Sequence, residues 1–357
     1  VRAWRDDLPE VVLVEPNHRV VHVPAGSPSL PKERLVSVIS EFSDRVAARI
    51  RAEGGVDVLH ANYWLSGLAA HRLKHELDIP LVTTFHTFAR VKAEGGDPEP
   101  LGRERSETEI IGCADAICVS CSEEERQFRR LYGNPPGRIE IVAPGVEHAF
   151  FSPGDRRGAR HALGWGDTPH VLFVGRLQPL KGLDVAVQAL SMVRRRDARL
   201  VVVGGASGPD GEREVARVNG LVADLGLTGR VDFVPPQPHH MLSTYYRAAD
   251  LVVVPSRSES FGLVALEAAA CGVPVVASAV GGLLTLVDHG HTGYLVPDRD
   301  PAEFAGYVDR LLEDPVLAAR LGAHGAERAL RYTWSFAAAR LRRVYSDVVA
   351  RQRVECS

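Results

Sequence analysis

The sequence predicts an α/β protein made of two Rossmann-like units, and three observations carry that expectation. Short apolar, β-branched runs alternate with helix-patterned segments, the pattern of parallel sheets covered by helices. The length of 357 residues suits two domains rather than one. A turn-rich segment, Pro144-Gly145 through Ser152-Pro153-Gly154, interrupts the alternation and reads as the boundary. The division expected is therefore 1–150, 151–335 and a C-terminal segment 336–357.

In the first half, Val56–His60 reads as a strand, Trp64–Leu77 as a helix, Pro80–Thr84 as a strand and Glu104–Gly112 as a helix. Ala116–Ser120 (strand), Glu123–Leu131 (helix) and Ile139–Ala143 (strand) continue the series. The second half repeats it more cleanly. Strands at Val171–Val174, Arg199–Val203, Val231–Val234, Leu251–Val254 and Val275–Ala277 alternate with helices at Gly182–Arg194, Glu212–Leu225, His240–Ala249 and Gly262–Cys271. A last helical stretch, Ser335–Arg351, is long enough to return to the first domain. The chain starts at Val1 with no strand–glycine–helix opening, and is read as lacking its natural N-terminus.

Composition narrows the function. A net charge of −3 advertises no nucleic-acid partner. The longest apolar runs, Leu251–Pro255 and Val273–Ala277, fall far short of the ~18–20 residues of a membrane span. With no secretory signal pattern either, a cytoplasmic protein is expected. Of 42 cationic side chains only four, at 32, 74, 92 and 181, are lysines, so each invites a specific role.

Cys113, Cys118 and Cys121 have the C-x4-C-x2-C spacing of an iron–sulfur site, with Cys271 or Cys356 as a fourth ligand. Their strand-like context favours buried thiols instead, and an odd cysteine count argues against structural disulfides. The remaining histidines, including His239-His240 and His289-Gly290-His291, read as surface or turn residues without helix-spaced partners. No metal site is expected.

A dinucleotide dehydrogenase should show G-x-G-x-x-G between strand and helix. Gly204-Gly205-Ala206-Ser207-Gly208 follows a strand but breaks that spacing, and Pro209 interrupts the helix start. No G-x-x-x-x-G-K-[ST] loop is present. Two other segments carry chemistry. In Pro255-Ser256-Arg257-Ser258-Glu259-Ser260-Phe261-Gly262-Leu263-Val264-Ala265-Leu266-Glu267 a buried strand runs into a short loop and a helix. Ser260 is the expected N-cap, and the free amides beyond it suit a phosphate. If Glu259 and Glu267 were both helical they would lie ~12 Å apart along the axis, too far for a glycosidase pair at ~5–9.5 Å. They suit two contacts along one extended ligand; a solvated loop Glu and a partly buried helix Glu is the other reading. In Val174-Gly175-Arg176-Leu177-Gln178-Pro179-Leu180-Lys181-Gly182, two cations flank a proline-stiffened loop and could receive the charge of a departing diphosphate. A plain surface pair is the alternative.

Together these motifs resemble the retaining GT-B glycosyltransferases of family 4. The resemblance continues through Ala268–Ala277 and Val280-Gly281-Gly282, covers nearly the whole chain, and implies two Rossmann-like domains facing across a cleft. With His60–Gly67 and Thr84-Phe85-His86-Thr87, it points to the branch that transfers N-acetylglucosamine from UDP-N-acetylglucosamine to inositol 3-phosphate in mycothiol biosynthesis. The sucrose-phosphate synthase and sucrose synthase branch is the near neighbour.

The resemblance implies that Arg176 and Lys181 meet the donor diphosphate, Glu259 the donor sugar, and Glu267 the ribose. It places Ser260, Phe261, Gly262, Leu263 and Val264 beside the donor, and His86 near the reacting bond. Lys32, Tyr63 and Thr87 match acceptor-phosphate residues, with Arg103 the candidate for a fourth where the family has a tandem Arg pair. Gln237 lies in Pro235-Pro236-Gln237-Pro238, where the family has Gly-Pro-Arg-Pro beside the base, so base identity stays open. Tyr246–Asp250 matches a segment near a structural magnesium in some relatives, so Mg2+ stays open but the expected chemistry does not require it, and no tightly bound cofactor is expected beside the UDP-sugar substrate. Front-face substitution is implied, with the donor phosphate helping to deprotonate the acceptor. A nucleotide-sugar binder without turnover and a homodimer are left open; a phosphorylase of similar shape would usually carry a lysine-bound pyridoxal phosphate, and beyond Lys181 the C-terminal half has no lysine for it.

Overall fold

A computed structural model describes residues 1–3, 8–96, 99–208 and 210–356, with the backbone alone for Arg2 and Lys32. The chain divides into two compact units. The first comprises Val1–Val119, Glu125–Val142 and Ala339–Ser357; the second comprises Ser120–Glu124 and Ala143–Ala338.

The first unit opens with three strands, β1 (Arg2–Ala3), β2 (Val11–Glu15) and β3 (His18–Val23), in the order β1-β3-β2. The sequence reading did not include them, nor the helix Ile39–Ala52. That helix buries Val46, Ala47 and Ile50 with Val21, Val23 and Leu73. A parallel sheet follows in the order β4 (Leu59–Asn62), β5 (Leu81–Thr84), β6 (Ala116–Val119) and β7 (Arg138–Ile141). Its helices include Trp64–Leu77, as expected to the residue, and Arg103–Cys113.

The helix Trp334–Val349 begins in the second unit and ends in the first. Its Val344 and Val348 pack on Val82, Ala116 and Cys118. Beyond it, the Val354 amide donates to Asp115 Oδ1 at 2.7 Å. Cys113 and Cys356 are joined as a disulfide, which corrects the expectation that no structural disulfide forms. The odd count merely left the other three, Cys118, Cys121 and Cys271, as free buried thiols.

The second unit is a six-stranded parallel sheet in the order β10 (Val231–Val234), β9 (Arg199–Val203), β8 (His170–Val174), β11 (Leu251–Val254), β12 (Val275–Ser278), β13 (Gly293–Val296). Every residue of β11 and β12 is buried, because helices cover both faces; that is why they read as unbroken apolar runs. The chain builds outward from β8 to β10, then returns to the other side of β8 with β11. Strand order therefore reverses between β8 and β11, and the crevice at such a reversal is where open α/β sheets bind ligands. Both motifs singled out above follow these two strands. Among the described residues no helix is long and apolar enough to cross a membrane.

Candidate active site

The loop after β8 and the loop after β11 are stitched together by their backbones. Arg257 N donates to Leu180 O at 2.8 Å; from the turn after β13, the side chain of Arg299 adds Nε to Pro255 O at 2.9 Å. Gly182 has φ +71°, and a Cβ there would lie 2.2 Å from Pro255 O, so only glycine permits the approach. The consequence is a short ion pair: Lys181 Nζ lies 2.6 Å from Glu259 Oε2, which also accepts from Ser256 Oγ at 3.3 Å. Arg176, by contrast, is exposed and has no ion pair among the described residues.

A third loop completes the frame. The Gly282 amide donates to Glu259 O at 2.9 Å. A Cβ on Gly281 would meet that same oxygen at 1.9 Å, and one on Gly282 would meet Phe261 at 2.3 Å. The Val280-Gly281-Gly282 motif is thus the footprint of the loop that carries Glu259.

The helix Leu263–Ala270 starts from Gly262 in the left-handed region (φ 105°), with no side-chain cap. This corrects the expected Ser260 cap. The Ser260 carbonyl instead accepts from Ser120 Oγ at 3.2 Å, drawing the residue out of capping position. Uncapped first-turn amides of Leu263 and Val264 favour an anion there. Deeper in the helix Glu267 is buried, accepting from Tyr246 Oη at 2.8 Å and lying 2.7 Å from His239 Nε2. Burial, with Glu267 alongside, raises the Tyr246 phenol far above its ordinary pKa, so it stays a donor. His239, expected as a surface or turn residue, is exposed, but it also pairs with Glu267 across 28 residues, a contact with no local signal. Gln237 turns its amide onto its own loop, Nε2 to Pro235 O at 3.0 Å.

In the first unit the ends of β4 and β5 gather the other candidates. Tyr63 (φ 74°) and His86 (φ 62°) both adopt left-handed backbone, costly for non-glycine residues and typical of functional sites. His86 Nε2 lies 3.0 Å from Asn62 Oδ1, and burial lowers the pKa of its ring. Arg103 is fully buried beneath them. Its guanidinium pairs with Glu107 at 2.7 Å and with Glu99, and donates to Thr87 O (2.7 Å) and Thr87 Oγ1 (3.0 Å). It also faces the Tyr63 ring at 5.1 Å. Tyr63, Thr87 and Arg103 are therefore brought together, but the guanidinium is committed to protein partners and acts by holding Thr87. Lys32 begins a 3-10 helix, and its side chain lies outside the described residues, as does Pro209. Asn62, Glu99 and Glu107 were missed; the i,i+4 spacing of Arg103 from both glutamates was the one signal for the last two.

One further set was missed. His71 and His75 are one turn apart on the helix Trp64–Leu77, which corrects the reading that no histidines have helix-spaced partners.

Two α/β units, each with a parallel sheet, and second-unit strand-end loops that present cations, a paired carboxylate and an uncapped helix fit a GT-B glycosyltransferase. The model of "Glycosyl transferases group 1" matches residues 155–328, and that of the "Glycosyl transferase 4-like domain" matches 1–145. The D-inositol 3-phosphate glycosyltransferase of Acidothermus cellulolyticus is 45% identical, covering 99% of this chain and 81% of its own. Sucrose-phosphate synthase from Thermosynechococcus elongatus is similar in structure, with a TM-score of 0.90, 34% identity, and coverage of 98% of this chain and 88% of its own. Anabaena HepE, solved with UDP-glucose, shares the fold at a TM-score of 0.77 and 22% identity over 89% of this chain and 84% of its own. The chain belongs to the group 1, family-4-type glycosyl transferases, and is a glycosyltransferase.

Proposed function

We propose that the chain transfers N-acetylglucosamine from UDP-N-acetylglucosamine to inositol 3-phosphate, with retention of configuration at the transferred carbon. The observation that carries the donor side is the Lys181–Glu259 pair beside the uncapped helix start at Gly262. The acceptor rests on likeness to relatives named D-inositol 3-phosphate glycosyltransferase, and on the cluster of Tyr63, Thr87 and His86.

In this reading Arg176 is the cation whose charge no carboxylate among the described residues offsets, while Glu259 partly offsets that of Lys181. A cation ~4 Å from a phosphate is worth roughly 4 kcal/mol before desolvation at an effective dielectric near 20. Its value is greatest as the diphosphate departs and negative charge develops. Glu259 contacts donor sugar hydroxyls, and Glu267 the ribose. His86, held neutral at pH 7 by burial, hydrogen-bonds near the reacting carbon without adding a positive charge. No protein nucleophile is assigned; the donor's own phosphate oxygen receives the acceptor proton. Use of a free nucleotide sugar suits a cytoplasmic enzyme.

The 34% identity to sucrose-phosphate synthase favours a second reading, hexosyl transfer to a sugar phosphate. A UDP-release assay comparing UDP-N-acetylglucosamine plus inositol 3-phosphate with UDP-glucose plus fructose 6-phosphate separates them. Release with the first pair alone is expected; release with the second alone would replace the proposal. An α-linked product by NMR checks retention.

A further inference from the structure

Away from the strand-end loops, four electron-pair donors from three segments converge on one point. His71 and His75 bring their Nε2 atoms to 3.1 Å of each other from the C-terminal half of helix Trp64–Leu77. Cys113 ends the helix Arg103–Cys113, with Sγ 3.0 Å from His71 Nε2 and 3.8 Å from His75 Nε2. Cys356 Sγ lies 3.3 Å from His75 Nε2. All four donor atoms fall within 4.8 Å of one another, and among the described residues no other group of three or more His, Cys, Asp or Glu donors could hold a metal.

A disulfide accounts for two of these residues and leaves the two imidazoles unexplained. Thiolate sulfurs and neutral imidazole nitrogens in a two-and-two set are the donors that Zn2+ prefers. Zn–S near ~2.3 Å and Zn–N near ~2.0–2.1 Å put tetrahedral neighbours roughly 3.3–3.8 Å apart. The His71–His75, His71–Cys113, His75–Cys113 and His75–Cys356 distances run from 3.0 to 3.8 Å, and the whole set lies within 4.8 Å.

We propose that, with Cys113 and Cys356 reduced, His71, His75, Cys113 and Cys356 bind one Zn2+ in a closed tetrahedral site. Each thiol releases its proton to solvent as its sulfur binds the metal, so binding one Zn2+ frees two protons. The disulfide and the metal exclude one another, because both use the same sulfurs; a thiol or phosphine reductant supplies the two electrons that convert the first to the second. Four protein ligands leave no position for a substrate, so the site is structural. It ties the C-terminal segment to the first unit across 243 residues of sequence.

The surroundings hold the ligands in register. Lys74, between the two histidines, donates to Cys113 O at 2.7 Å and pairs with Asp115 at 2.8 Å. Asp115 in turn accepts the Val354 amide at 2.7 Å, two residues before Cys356. Cysteine, histidine and tail are thus positioned by contacts that do not involve the sulfurs.

The test uses the full chain, reduced with a phosphine, freed of metal by chelation and checked for five titratable thiols, the number of cysteines in the sequence. It is then titrated anaerobically with Zn2+ and, separately, with Co2+. One equivalent of Zn2+ is expected to bind and to protect Cys113 and Cys356 from alkylation, while Co2+ gives the intense visible absorption of a tetrahedral thiolate site. Cys356→Ser, on a peripheral segment, should lose both the protection of Cys113 and the cobalt thiolate signature; His75→Ala, at an exposed position, should weaken both. A fully reduced chain that takes up no metal, or takes it up equally well as Cys356→Ser, overturns the proposal and leaves the disulfide as the role of Cys113 and Cys356.

Discussion

Lys181 and Glu259 hold each other at 2.6 Å, so a substitution at either reports on both. Lys181→Ala removes one diphosphate contact and leaves Glu259 with Ser256 as its remaining side-chain partner. A loss of ~10²–10³ in kcat/KM is expected, the range for removing one pre-positioned charge-stabilising donor; an unchanged value in the UDP-release assay removes Lys181 from the mechanism. Glu267 calls for a gentler change, since truncation would also strand the buried Tyr246 hydroxyl at ~1–3 kcal/mol. Glu267→Gln keeps an acceptor for that hydroxyl, so it should raise the donor KM while sparing kcat at saturation. A collapse of kcat at saturating donor would contradict the ribose role. His60 gives a residue-scale stability prediction. Its ring lies between Tyr345 Oη (2.6 Å) and Thr84 Oγ1 (2.8 Å), and burial, with a smaller contribution from His86, pushes its pKa from 6.5 to about 4. The folded state therefore binds this proton less readily than the unfolded chain does. His60 contributes stability that is full above pH ~6.5 and lost as pH falls through about 4, in total ~3 kcal/mol. Urea unfolding at pH 7 and pH 4.5 should show a smaller pH-dependent loss for His60→Gln than for the parent chain; an equal loss would place the sensitivity elsewhere.

Elements show why the motifs were legible and their reasons were not. Val280-Gly281-Gly282 is visible as a string of letters, but the requirement appears only when Gly281 is seen at φ +48° with Glu259 O where its Cβ would sit. Gly281→Ala is expected to displace the Glu259 loop, at ~1–3 kcal/mol of backbone strain, and to lower kcat/KM while leaving the circular dichroism of the folded chain unchanged. Full activity would show that this loop tolerates movement. The helix start at Gly262 was misread for a related reason: Ser260 is a good cap by residue type, yet a contact with Ser120, 140 residues away, claims its backbone. The hairpin of β2 and β3 escaped because its pattern points the wrong way. Leu13 and Val14 are 72% and 51% exposed, so apolar residues there do not mark a buried face. Strands buried on both faces, such as β11, had no such ambiguity.

At the scale of the whole molecule, the reversal of strand order between β8 and β11 explains why residues 175–182 and 255–262 meet, and alternation of strands and helices was enough to foresee two such units. What the sequence could not convey is how the C-terminal segment is held, since its partners lie more than two hundred residues earlier. The rarity of lysine was the one clue. Lys74 is nine-tenths buried, paired with an equally buried Asp115, and Asp115 also receives the amides of Leu81 and Val354. This one carboxylate joins a helix, a strand and the tail. Breaking a buried pair on one side leaves an uncompensated charge, at ~3–5 kcal/mol, whereas replacing both partners by apolar groups is often close to neutral. Asp115→Asn should therefore destabilise the chain by that amount, with Lys74 left charged and buried. Lys74→Met combined with Asp115→Asn should recover much of the loss, because no ion then remains. Urea unfolding of the two variants and the parent, in reductant, measures both steps. A single variant within ~1 kcal/mol of the parent would mean that solvent reaches Lys74, and that the tail, rather than the ion pair, is the part that yields.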